Sequence, residues 1–100
     1  MVTKLNSENY EKEVMQSEGT VMVDFYANWC GPCRAQAPII EQLAKERTDV
    51  KFFKVDVDES VQIAAKLGIS SIPTIMVVKD GKVEYLRAGM MQKSQLNALL

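Results

Sequence analysis

The run Val21-Met22-Val23-Asp24-Phe25-Tyr26-Ala27 restricts the fold more than any other segment of this 100-residue chain. Apart from Asp24 it is apolar throughout, so it lacks the alternation of a strand with one wet face. Such a strand is buried on both faces, and a sheet with helices above and below it is the simplest way to bury it.

The flanking segments supply those layers. Val2–Leu5 reads as a short edge strand. Asn6-Ser7 offers an N-cap with acidic Glu8 in the first turn, and Tyr10, Val14 and Met15 form the stripe of a helix that Gly19 ends. A long helix is predicted from Pro32 to Arg47, with Ile39, Ile40, Leu43 and Ala44 on its apolar face and a kink at Pro38. Lys51–Val57 is a third strand. Ser60 caps a shorter helix carrying Val61, Ile63, Ala64 and Leu67, stopped by Gly68. Thr74–Lys79 and Lys82–Arg87 read as strands joined at Asp80-Gly81, a strong hairpin signal, and Ser94–Leu100 as a terminal amphipathic helix. The order is β-α-β-α-β-α-β-β-α. The first three strands, linked through helices, are expected to be parallel with right-handed crossovers, and the last two antiparallel. One α/β domain over residues 1–100 is expected, built on a central mixed sheet.

The formal net charge is −1, with acidic and basic residues interspersed. No basic block or aromatic RNA-binding stretch points to nucleic acid. No apolar run approaches the ~20 residues of a membrane-spanning helix. The first residues contain no signal-peptide-like apolar stretch, so a cytoplasmic, reducing location is expected.

The chain has two cysteines and no histidine. Trp29-Cys30-Gly31-Pro32-Cys33 lies between the buried strand and the start of the long helix. Pro32 suits a first helical turn, where its missing N–H has no partner to lose. Cys30 then sits at the helix N-terminus and Cys33 one turn inside, on the same face. Free N–H groups and the positive end of the helix dipole favour a thiolate at Cys30, the nucleophilic form. Cys33, further in, stays protonated until needed. The competing readings are weak. A structural disulfide is unusual in a reducing compartment, and so small a loop stabilises little. A zinc site needs about four ligands, more than these cysteines provide without histidine. No metal and no cofactor is expected.

The whole chain resembles the bacterial-type thioredoxin family. The resemblance rests on Val23-Asp24-Phe25-Tyr26-Ala27-Asn28-Trp29-Cys30-Gly31-Pro32-Cys33-Arg34, then Pro38, Lys54-Val55-Asp56, Gly68-Ile69, Ile72-Pro73-Thr74, Asp80-Gly81 and Gly89. The first six residues and the last helix match only in pattern. The resemblance implies a thioredoxin fold, a central five-stranded mixed sheet flanked by four α-helices. It also implies a thiol–disulfide oxidoreductase, and Gly31-Pro32 between the cysteines looks like the reducing branch. Ser71 and Met90 stand where the family often has small residues, which bears on substrate preference.

Asp24 is the one charge in its strand, and burial raises a carboxylate's pKa towards neutrality. The resemblance makes it the group that helps deprotonate Cys33; the plainer alternative is a strand-end cap. Lys54, on the next strand, is placed to tune Asp24, or simply faces solvent. The resemblance implies that Pro73 is cis and packs against the cysteines, leaving the Ile72 backbone to pair with an extended substrate; otherwise Pro73 is an ordinary trans proline at a strand start. Trp29, Gly31, Pro32, Ile72, Pro73, Gly89 and Met90 are expected to converge around Cys30 as a docking surface, with core packing the alternative for Trp29.

The implied cycle has Cys30 attack a protein disulfide and Cys33 resolve the mixed disulfide with help from Asp24. No nucleotide-binding glycine motif is present, so an external thioredoxin reductase would restore the dithiol. Disulfide-containing proteins are the implied partners, and a monomer is the default. The other readings are a binding subunit or chaperone with incidental cysteines, and a more oxidising isomerase-like relative.

Overall fold

A computed structural model describes residues 1–100. The elements are β1 (Val2–Leu5), a π-helical turn (Glu11–Met15), β2 (Thr20–Tyr26), α1 (Gly31–Glu46), β3 (Val50–Asp56), α2 (Val61–Leu67), β4 (Thr74–Lys79), β5 (Lys82–Ala88) and α3 (Lys93–Ala98). The sheet order is β1-β3-β2-β4-β5. β3 pairs in parallel with β1 and β2, whereas β4 runs antiparallel to β2 and β5 antiparallel to β4. β2 is therefore the central strand, which is why its sequence is apolar on both faces. No helix is long and apolar enough to cross a membrane.

Alternate residues of the strands feed two cores. Val21, Val23 and Phe25 of β2 join Phe53, Val55, Met76 and Val78 beneath Tyr10, Val14 and Ile63, the inner residues of the π turn and α2. Met22 joins Phe52, Ile75 and Val77 beneath Ile40, Leu43 and Ala44 of α1 and Leu96 of α3. The mixed sheet with helices on both faces is thus as expected, with one change among its four helices.

The first helix is not an α-helix running to Gly19. Asn6 holds the turn that leads into it, its Oδ1 accepting the N–H groups of Glu8 and Asn9 at 2.9 and 3.2 Å, and the N-cap falls at Tyr10, which makes no side-chain capping bond. The chain then winds as a π turn, with the Gln16 N–H donating to the Glu11 carbonyl at 3.0 Å, and leaves the helix after Met15. The β4–β5 hairpin tip packs against this exit. A Cβ on Gly81 would come within 2.7 Å of the Met15 carbonyl oxygen, so only glycine fits there. Asp80 Oδ1 accepts the Gly19 N–H at 2.8 Å, and the Asp80 N–H donates to the Gly19 carbonyl at 3.0 Å. Residues after Met15 are used in this docking and not in a further helical turn.

Two other details differ from expectation. α1 continues unbroken through Pro38, which lies on its exposed side. Ser60 stands at the N-cap of α2 without a side-chain capping bond; it is buried, and its N–H donates to the Asp56 carbonyl at 2.9 Å.

The topology gathers three segments at one end of the sheet. β2 and β4 are antiparallel, so the loop leaving Tyr26 and the loop entering Thr74 lie side by side, beyond the Phe25–Thr74 pair. β5 ends opposite Thr74, at Ala88, and delivers Gly89 to the same place.

Candidate active site

Cys30 is the N-cap of α1, in extended conformation, with Gly31 and Pro32 opening the helix. This is where the sequence placed it. Its Sγ accepts the Cys33 backbone N–H at 3.2 Å, the bond by which a capping side chain satisfies a free amide of the first turn. Cys30 and Cys33 form a disulfide across one turn, their Cα atoms 5.2 Å apart. Both cysteines are buried, with Ala27, and with Tyr26, Val57 and Ile72 packed around them. Trp29, Gly31 and Pro32 stand exposed beside them.

The Ile72–Pro73 peptide bond is cis, and the Ile72 carbonyl oxygen lies 3.8 Å from Cys30 Sγ. Pro73 itself is buried and Ile72 half-buried. The Gly89 N–H donates to the Pro73 carbonyl at 2.8 Å, so the β5–α3 loop is tied to the same spot. Gly89 has φ +117°, a conformation open to glycine. The next residue, Met90, is 41% exposed. Trp29 is 68% exposed and does not join the core; its Nε1 donates to Asp58 Oδ2 at 2.8 Å. Asp58 is in turn held by its own N–H donating to Asp56 Oδ1 at 2.9 Å.

Asp24 projects towards the α1 side of the sheet. Its neighbours across the register, Lys54 on β3 and Ile75 on β4, share that face. It is 4% exposed, and its Oδ1 has no hydrogen-bond partner. Burial pushes its pKa up from 3.8 to about 7, against the opposing pull of the Lys54 charge. Lys54 is partly buried, its Nζ 5.9 Å from the centre of the Tyr26 ring. A cavity of about 200 Å³, lined by Tyr26, Ala27, Asn28, Cys33, Arg34 and Ala37, opens beside the inner cysteine.

Two residues near the site are not among those the sequence marks as functional. Asp58 anchors Trp29, but nothing local marks a turn aspartate for that task. Gln36 is fully buried in the stripe Cys33, Gln36, Ile40, Leu43, where a polar residue at helical spacing is a legible signal.

A cysteine pair bridged across the first turn of a helix and beside a cis-proline loop, with a carboxylate buried on the helix's side of the sheet, defines a thiol–disulfide oxidoreductase. The relatives narrow the class. The Thioredoxin family model matches residues 1–100. The chain is 41% identical over 97 residues to a thioredoxin of Rickettsia bellii, covering 96% of this chain and 92% of that protein. It is 42% identical over 100 residues to a thioredoxin of Bacillus subtilis, covering 99% and 94%, and 37% identical over 100 residues to one of Pseudomonas aeruginosa, covering 99% and 93%. The chain belongs to the thioredoxin family.

Proposed function

We propose that this chain, as one domain, reduces disulfides in other proteins, with Cys30 as nucleophile and Cys33 as resolving thiol. The observation that carries this division is the hydrogen bond from the Cys33 N–H to Cys30 Sγ at the start of α1. In the reduced protein the same donor and the helix dipole stabilise negative charge on Cys30, not on Cys33. Cys30 thiolate attacks one sulfur of the substrate disulfide. That S–S bond breaks, the leaving sulfur departs as a thiolate, and a mixed disulfide forms. Cys33 passes its proton to Asp24 and attacks Cys30 Sγ. The second substrate sulfur leaves, the substrate gains two electrons, and Cys30–Cys33 is oxidised.

Asp24 suits the proton acceptor's role because its pKa of about 7 lets it take and release a proton near neutrality. Lys54 tunes it by favouring the anion. Trp29, Gly31, Pro32, Ile72, Pro73, Gly89 and Met90 form the docking surface. The Ile72 N–H and C=O make no backbone hydrogen bond and so are free to pair with an extended substrate. A thioredoxin reductase returns two electrons to the pair. The protein works as a cytoplasmic monomer.

The test is a Cys33→Ser variant, reduced and mixed with disulfide-bearing proteins. It should accumulate covalent adducts through Cys30 that dithiothreitol releases. Adducts that instead form through Cys33 in a Cys30→Ser variant, and not through Cys30, would reverse the assignment.

A further inference from the structure

Gln36 is fully buried on α1, on the face that carries Cys33, and both of its side-chain hydrogen bonds go to Met91. Its Nε2 donates to the Met91 carbonyl at 3.1 Å, and its Oε1 accepts the Met91 N–H at 2.8 Å. The side-chain amide thus pairs with both backbone groups of one residue, as a neighbouring strand would. Met91 has no such strand: β5 ends at Ala88, and α3 starts at Lys93 behind a cap made by Gln92 and Gln95. Without Gln36, both backbone groups of Met91 would be left without these partners in a part-buried setting.

The segment between β5 and α3 is therefore pinned at two points. Gly89 is held to Pro73, and Met91 to Gln36. Met90 bridges the two pins with an exposed side chain and no backbone hydrogen bond of its own. The pins lead back to the loop beside Cys30 and to the helix carrying Cys33. We propose that Gln36 is a positioning residue for protein substrates: it fixes the Gly89–Met91 loop against α1, so that Met90 meets an extended polypeptide in a preformed arrangement. The proposal rests on the docking reading above. It predicts an effect that depends on substrate size, because a small disulfide reaches Cys30 without using the loop.

Gln36→Leu replaces the amide with an apolar group of similar length and removes both bonds. Reduction of insulin and of a small aromatic disulfide would be followed for both proteins. Wild-type reduction of both substrates is read first, as the control for the redox reading. The variant should raise KM for insulin about 3- to 10-fold, since a loop that must be ordered on binding weakens the complex. Its kcat for insulin and its rate with the small disulfide should stay within about twofold, the scatter left when no reacting group is altered. Amide exchange at Met91 should quicken in the variant. An unchanged KM for insulin overturns the proposal, as does an equal loss on both substrates, which would mark Gln36 as a general structural or catalytic group. Should Gln36→Leu fold poorly, Gln36→Met carries the same comparison.

Discussion

The two faces of the sheet bury apolar side chains on a comparable scale but treat polar groups differently. Beneath the π turn and α2 the buried polar groups are neutral hydroxyls: that of Thr74 donates to the Ser71 carbonyl at 2.6 Å, and that of Tyr10 meets the sulfurs of Met15 and Met76 at 3.8 and 3.9 Å. Burial pushes that phenol up to about 12, so it stays neutral across the working range. The face beneath α1 and α3 admits the Asp24 carboxyl, the Gln36 amide and the partly buried Lys54. One face fixes the fold with groups that do not titrate. The other holds a carboxyl whose charge changes near neutrality, at a cost to stability, on the same side as the reactive helix.

Phe25→Ala on the first face should have the largest effect. Phe25 is fully buried, and truncating such a ring costs about 3–5 kcal/mol. Denaturant unfolding should show the same loss at pH 5 and pH 8, because the groups around it carry no charge. A loss that varied with pH across that range would remove the contrast between the faces.

Asp24→Asn should have the opposite sign. The folded pKa of Asp24 is raised from 3.8 to about 7. The native state therefore holds this proton more tightly than the unfolded chain, and the associated stability is fully present below about pH 4. It is lost as pH rises through 7, leaving a buried anion. A shift of about three units corresponds to roughly 2–4 kcal/mol, so the variant should be the more stable protein by that amount at pH 8 and by little at pH 4. Resolution of the mixed disulfide should be slower and should lose its dependence on a group titrating near pH 7. Equal stabilities at pH 8, or an unaltered rate profile, would make Asp24 an ordinary structural carboxyl.

Much of this contrast is legible in the residues. Asp24 stands out because it interrupts an apolar run, and the N-cap position of Cys30 follows from a proline-initiated helix after a buried strand. Asp80-Gly81 marks the hairpin, and β4 has the predicted bounds Thr74–Lys79. What escapes is whatever depends on contacts distant in sequence. The stripe Tyr10, Val14, Met15 fits an α-helix as well as a π turn; the winding is completed where the hairpin tip closes on Met15, 66 residues away. Trp29 and Asp58 meet only because β2 and β3 are neighbours. The cis bond before Pro73 was legible through the family resemblance, since local sequence permits either isomer.

The smallest expected effect is the one that divides the polar face internally. Lys54 lowers the Asp24 pKa, although burial outweighs it. Lys54→Gln should therefore move the Asp24 titration upward, by about half a unit to one unit for a partly solvated opposite charge. Below about pH 4 the carboxyl is neutral in both proteins, and their stabilities should nearly coincide. Above pH 8 the Asp24 anion has lost its nearest compensation, and the variant should be less stable by about 1 kcal/mol. The pH at which mixed-disulfide resolution is half-maximal should rise by the same fraction of a unit, while Cys30 attack on a small disulfide changes little. A loss of stability that is the same at pH 4 and pH 8 would assign Lys54 to packing over the Tyr26 ring, 5.9 Å from its ammonium, and not to the charge on Asp24.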